Sequence, residues 1–384
     1  MTRALPDDGA FADMARQARR RLPRLFADYL DGGAHGEATL HANRAAFGRR
    51  VLLPRGLRDV SQIDLTSHLS GMTLDAPFLL SPVGFAGMFH RDGETGAAQA
   101  ARNHGVAFGV SSFAIDPMER IATSNASLLA QIYVLRDRAV TRDMLTRARN
   151  CGISNLILTI DTPITPLRER DRRNGFRDRT RPSLRQWLGL ASRPAWLVDR
   201  MLGRGNIIGN MASYTSARGV LAQARDIAGR IDPTLVWHDL DWLRQEWQGA
   251  LLVKGILHPD DARQAASCGA DGLILSNHGG RQLDPAPSPL DMLEEIREAT
   301  GDAIPLIVDG GIRHGGDVVM ALALGARAVS FGRPWAWGLA ARGKAGVEDG
   351  LARLRRETVD IMALTGHTTI HTLRGAGASV LRAF

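Results

Sequence analysis

The feature that most limits how this chain can fold is a recurring unit: a helical run, a turn closing on glycine, then a short apolar strand. It reads AQAARNHGVAFGVSS up to Ser112, LTRARNCGISNLILTID up to Asp161, ARQAASCGADGLILSN up to Asn277 and VVMALALGARAVSFG up to Gly332. Gly105, Gly152, Gly269 and Gly325 stand where a helix closes through a left-handed residue before a strand. Phe78–Pro82, Leu128–Val134, Leu251–Gly255 and Leu306–Gly310 are further strand candidates. Strands apolar on both faces are those of a parallel sheet buried under helices. Eight such units with no second cluster of strands predict one closed (β/α)8 TIM barrel, an α/β fold. An open doubly wound sheet is the alternative that the same alternation allows.

The 384 residues suit one such domain with additions. Residues 1–75 read as an N-terminal extension, helical around Phe11–Leu30, and 76–345 as the barrel. Residues 170–213 read as an insertion after the fourth strand, and 346–384 as a C-terminal helix and tail. With 44% apolar and 23% charged residues, a large core is available and disorder is excluded. No uninterrupted apolar run reaches the length of a membrane span, and the first residues have no signal-peptide core, so a cytoplasmic location is the expectation. Cys151 and Cys268 provide neither a disulfide framework nor a metal site, and no metal or nucleic-acid partner is expected.

Two nucleotide signatures fail. Gly203-Arg-Gly205-Asn-Ile-Ile-Gly209 has one residue too many for a dinucleotide fingerprint and follows no strand. Gly338-Leu-Ala-Ala-Arg-Gly343-Lys344 approaches a P-loop, then has Ala345 where a magnesium-binding hydroxyl is needed, in a stretch that reads as helix. The ends of strands seven and eight differ. Asp309-Gly310-Gly311-Ile312-Arg313 and Gly332-Arg333-Pro334 put glycines and an arginine where barrels often hold a phosphate. Two tight turns with surface arginines are the plainer reading.

Ser276-Asn277-His278-Gly279-Gly280-Arg281-Gln282-Leu283-Asp284 closes strand six. A histidine there faces the barrel mouth, where a general base belongs, and Arg281 could hold a substrate carboxylate as a planar fork. The chain has only two lysines, Lys254 and Lys344. Lys254 ends the apolar run of strand five, where it either pairs with a core carboxylate or offsets charge on a reduced cofactor. Asp161 either orients His278 and raises its basicity or caps the turn after strand four.

Together these residues resemble the FMN-dependent L-2-hydroxy acid oxidases and dehydrogenases, from about Leu22 to Gly366. The SNHGGRQLD segment carries the resemblance most specifically. It implies FMN as cofactor, a lactate- or mandelate-like substrate oxidised to the 2-oxo acid, and a homo-oligomer, commonly a tetramer. It implies that His278 is the base, with Asp161 its partner, and that Arg281 and Arg168 hold the substrate carboxylate. Tyr29 and Tyr133 are then substrate tyrosines, and Lys254 lies beside the flavin. Pro82, Val83, Gly84, Ser111, Gln131, Thr159 and Ser276 match flavin contacts. Asp309, Gly310, Gly311, Arg313, Gly332 and Arg333 match the ribityl and phosphate site. Gly84, where oxidases often have alanine, resembles the branch that passes electrons to a non-oxygen acceptor such as a quinone. Phe113 stands where some oxidases have tryptophan. An oxidase making peroxide, or a relative acting on a biosynthetic intermediate, is the alternative.

From Arg168 to Arg204 there are eleven arginines against four acidic residues, most of the net charge of +8 in about a tenth of the chain. Trp187, Leu188, Leu190, Trp196, Leu197, Val198, Met201 and Leu202 are interspersed. Basic charge mixed with Trp and Leu is the composition of a segment lying on an anionic membrane surface, here through 182–204 at the inner face of the cytoplasmic membrane. A lid whose apolar residues cover the barrel is the alternative.

Overall fold

The computed structural model describes residues 11–176, 183–203 and 206–384. Eight parallel strands close into a barrel in sequence order: β1 Phe78–Leu80, β2 Ala107–Val110, β3 Ser127–Ile132, β4 Asn155–Thr159, β5 Ala250–Ile256, β6 Gly272–Ser276, β7 Leu306–Asp309 and β8 Ala328–Phe331. Strand β8 pairs with β1, leaving no open edge, so the open-sheet alternative is discarded. The four glycines expected to close helices all have positive φ, from 60° at Gly105 to 112° at Gly325.

Side chains alternate across a strand, so every second residue shares a face. One apolar residue from each strand, from Leu79 on β1 to Ala328 on β8, forms a buried layer inside the barrel. Leu69 and Leu74 of the hairpin Ser67–Leu69/Met72–Leu74 plug that layer from below. Two residues further along each strand, toward the C-terminal mouth, the character changes. The positions are Ser81, Gly109, Gln131, Thr159, Lys254, Ser276, Asp309 and Ser330. This polar layer is the floor of the barrel mouth.

The described residues of the extension form three helices, α1 Ala12–Arg21, α2 Arg24–Asp31 and α3 Ala38–Gly48. The expected helix around Phe11–Leu30 is therefore two, broken at Pro23, which starts the second because its ring cannot continue the first. The C-terminal helix starts at Arg333 and runs to Leu364 with a break at Arg342–Gly343. The tail beyond it pairs as Leu381–Ala383 with Arg50–Leu52 of the extension. Between β4 and β5 lie α4 Glu169–Asn174, α5 Leu184–Ala191 and α6 Pro194–Leu202, then Val220–Ala228 and His238–Glu246.

Helices α5 and α6 divide their apolar residues between two faces. Trp196 is buried, donates from Nε1 to Met88 O at 2.8 Å and packs with its ring centroid 5.5 Å from that of Phe26, tilted by 34°. Asp199 accepts from Arg21 and sits 3.5 Å from His90 Nε2. Leu188, Val198, Met201 and Leu202 point outward at 65, 52, 85 and 66% exposure. No helix among the described residues is long and apolar enough to cross a membrane.

Candidate active site

Hydrogen bonds join the polar layer into a five-residue cluster and a separate pair. Ser276 Oγ receives Lys254 Nζ at 2.8 Å and donates to Asp309 Oδ2 at 2.7 Å, while Lys254 and Asp309 lie 3.0 Å apart. Ser81 Oγ reaches Asp309 Oδ1 and Ser330 Oγ, each at 2.5 Å. Gln131 Nε2 donates to Thr159 Oγ1 at 3.1 Å. Burial works against the charge on Lys254 and on Asp309, but each holds the other charged: the lysine is raised and the carboxylate lowered. The core-carboxylate reading of Lys254 is thus met, and the partner is Asp309. Ser276, Gln131 and Thr159, expected to touch flavin, are at most 4% exposed and build the layer from within.

Above this floor, His278 Nδ1 lies 3.0 Å from Asp161 Oδ1. Gly255 makes the approach possible. It has φ of 110°, and a Cβ there would stand 2.7 Å from Asp161 Cβ, so β5 bulges around the aspartate. His278, Gly279 and Gly280 all have left-handed φ, 58, 65 and 74°. His278 N donates to Ser276 Oγ at 3.0 Å, so the floor also holds the histidine's backbone. Asn277 exchanges two side-chain hydrogen bonds with Asn43 of α3, at 2.8 and 2.7 Å. Burial lowers the His278 imidazole below its ordinary 6.5, opposed by Asp161. Burial opposes the Asp161 charge, but His278 and then Lys254 keep its carboxylate below the ordinary range. Orienting His278, not capping a turn alone, is what Asp161 Oδ1 does.

Arg281 Nη1 donates to Tyr29 O at 2.6 Å and Gly32 O at 2.9 Å, with the guanidinium 4.6 Å over the Tyr29 ring. Its Nη2 is buried without a hydrogen-bond partner. A buried donor left unmet is costly, and here it belongs to a cavity residue. Arg168 donates from Nε and Nη2 to Arg281 O at 3.3 and 3.2 Å. Burial, then Asp161 and Tyr29, raise the Tyr133 hydroxyl, which therefore stays protonated. Tyr29, Tyr133, Arg168, His278 and Arg281 line one cavity of about 680 Å³, with Phe113 and Ser111.

A second cavity joins at Tyr29, Gly84, His278 and Arg281 and is lined by Pro82, Val83, Lys254 and the glycine turns at Gly310, Gly311 and Gly332. Gly311 has φ of 81°, and a Cβ there would strike Asn43 O at 2.3 Å. Arg313 and Arg333 line it too. Arg333 donates to Leu30 O, Gly279 O and Gly32 O at 3.0, 2.8 and 2.9 Å, which uses three of its five N–H groups. Burial, then Arg281 and Arg313, push Arg333 down to about 9. Three guanidiniums crowded into a desolvated space call for an anion. A flat group with a phosphate end fits: glycines where backbone must come close, arginines at one end and Lys254 on the floor.

Ser81, Ser330, Asn43 and Gln282 are site residues that motif reading missed. The two serines could have been found by stepping two residues along each strand from the apolar layer. Gln282 Nε2 donates to Asp161 O at 2.6 Å and lies inside the quoted motif. Asn43 had no local signal, because its partner is 234 residues away. Among the described residues no group of three His, Cys, Asp or Glu could hold a metal ion.

The family model of FMN-dependent dehydrogenases matches residues 18–379. An L-lactate dehydrogenase of Caulobacter sp. (strain K31) is 41% identical over 363 residues, 93% of this chain and 95% of the relative. One of Xanthomonas campestris pv. campestris (strain 8004) is 40% identical over 373 residues, 96% of each. Among solved structures, the monotopic membrane protein (S)-mandelate dehydrogenase superposes with a TM-score of 0.92 at 35% identity, covering 98% of this chain and 99% of that one. A mandelate oxidase superposes at 0.82 with 35% identity, covering 97% and 98%. A match over nearly the whole chain, on a barrel whose mouth fits a phosphate-bearing flat group, makes this protein a member of the FMN-dependent L-2-hydroxy acid oxidase and dehydrogenase family, an oxidoreductase that works with FMN.

Proposed function

We propose that the protein oxidises a lactate- or mandelate-like L-2-hydroxy acid to the 2-oxo acid and passes the electrons to a non-oxygen acceptor such as a quinone. The observation that carries this reading is His278, 3.0 Å from Asp161, lining one cavity together with Arg281, whose Nη2 is unmet. Arg281 and Arg168 bind the substrate carboxylate and fix the Cα position, converting an encounter into an oriented complex. Asp161 holds the Nδ1 proton of His278, which leaves Nε2 to accept a proton from the substrate. The depressed pKa keeps the imidazole neutral near pH 7, as a base must be. Tyr133 stays protonated as a donor to substrate oxygen, and Tyr29 bounds the pocket beside it. FMN, when bound, supplies the two-electron acceptor. Pro82, Val83, Gly84, Ser111 and Lys254 would hold its ring, with Gln131, Thr159 and Ser276 supporting the ring from the floor. Asp309, Gly310, Gly311, Arg313, Gly332 and Arg333 would hold its ribityl and phosphate. Lys254, buried beside Asp309, would supply positive charge beside the bound ring.

A Cβ at Gly84 would lie 2.9 Å from Phe113 Cβ, so the packing of Phe113 alone accounts for that glycine. The acceptor assignment rests instead on α5 and α6, whose outward Leu188, Val198, Met201 and Leu202 support peripheral attachment to an anionic membrane, where a quinone would be within reach. The monotopic (S)-mandelate dehydrogenase supports the same reading through its similarity. The buried Trp196, bonded to Met88 O beside Phe26, supports a packing role for part of the same segment.

The test is anaerobic mixing of the FMN-loaded protein with L-lactate or L-mandelate. Flavin absorbance should bleach within turnover time, and a flavin left oxidised by every L-2-hydroxy acid tried overturns the proposal. Rapid peroxide formation in air would reassign the acceptor to oxygen.

A further inference from the structure

The 680 Å³ cavity continues past the reacting centre. Its outer wall is formed by Leu221, Ala224 and Ala228 of the helix Val220–Ala228, and by Ile231. All four are half-buried. Arg136 and Arg225 line the same cavity, and neither carries an ion pair among the described residues.

This wall is built, not a gap between loose loops. Leu135 and Ile231 form an antiparallel bridge, Arg136 N donates to Arg230 O at 2.9 Å, and Asp232 N donates to Val134 O at 3.0 Å. The segment after the helix is thus laced to the chain leaving β3, one to three residues beyond Tyr133. Gln223 Oε1 accepts Ile208 N at 2.6 Å, which fixes the helix from its other side.

A methyl group on Cα would leave this apolar wall in water. The volume lies in the range, about 300–1,000 Å³, of pockets that enclose whole drug-sized molecules. We propose that the outer part of the cavity is a subsite for a 2-hydroxy acid with a long apolar side chain ending in a second anionic group. The chain lies along Leu221, Ala224, Ala228 and Ile231, and the anion meets Arg136 and Arg225. The proposal rests on the 2-hydroxy acid reading of the same site.

Each methylene removed from water is worth about fourfold in affinity, so chain length should be read clearly in kcat/KM. The probes are L-lactate, L-2-hydroxyoctanoate and L-2-hydroxyoctanedioate, each mixed anaerobically with the FMN-loaded protein. The octanoate should exceed lactate at least tenfold in kcat/KM for flavin reduction, and the dioate should exceed the octanoate at least threefold. Raising the salt should shrink only the second ratio, because both arginines are exposed. Ala228→Trp, filling the subsite, should lower the octanoate-to-lactate ratio at least tenfold. Arg136→Gln with Arg225→Gln should erase the preference for the dioate. A protein that reduces its flavin with lactate as well as with the longer acids overturns the subsite while sparing the reaction. Reduction by none of the three, nor by mandelate, overturns the reaction itself. Because the ranking of probes uses the unaltered protein, it stands even where a variant fails to fold.

Discussion

The floor of the barrel mouth and the connection between β4 and β5 are built on opposite plans. On the floor, Lys254, Asp309, Ser276, Ser81 and Ser330 satisfy one another within 3.0 Å, and each is at most 6% exposed. In the connection, Leu188, Val198, Met201 and Leu202 are more than half exposed, and a cavity wall stands open beside them in the chain. The floor is over-determined, so removing one member strands others in low dielectric. The connection holds few such debts, and its residues can change without unfolding the barrel. On the proposed function, that division leaves the chemistry to the strand ends and substrate choice and attachment to the connection.

The largest expected effect lies just above the floor. His278→Gln should cut the rate of flavin reduction by about 10²–10⁴, the usual worth of a positioned base, while FMN stays bound. Absorbance reports the cofactor and stopped-flow mixing the rate. An unchanged rate would remove His278 from proton transfer. Next in size, Lys254→Met should destabilise the fold by about 3–5 kcal/mol, because Asp309 would lose its countercharge while still buried. Denaturant unfolding measures it, and a loss under 1 kcal/mol would show that the floor is less interdependent than its hydrogen bonds imply. The smallest effect on stability should come from the connection. Changing Leu188, Val198, Met201 and Leu202 together to serine should alter stability by no more than about 0.5 kcal/mol per site. The same change should lower binding to anionic liposomes at least tenfold. If the unaltered protein ignores such liposomes at low salt, the attachment reading falls and α5 and α6 serve only as a cover.

How much of this was legible follows from where each signal lies. The strands announced themselves because burial on both faces forces continuous apolar runs, and the glycines because a helix closing into a strand needs positive φ. His278, Arg281, Arg313 and Arg333 were legible because chain neighbours share a loop, so a motif preserves their proximity. Ser276, Gln131 and Thr159 were legible as residues, but their mutual hydrogen bonding within the floor was not, because it joins different strands. Asn43 was not legible at all. Its hydrogen bonds to Asn277 exist only because α3 folds across the mouth.

The sequence by itself determined the barrel, because continuous apolar runs and turn chemistry are local and survive in one dimension, and its motifs carried the resemblance that implied FMN. Tertiary structure decided which charge answers which. Lys254 pairs with Asp309 across 55 positions, Arg333 is held by carbonyls of Leu30 and Gly32, and Trp196 turns inward while Leu188 turns out. Such pairings depend on distances between elements, and electrostatic and dispersion terms act through space without regard to chain separation. The order of residues names the groups that will need partners, and only the folded packing chooses them.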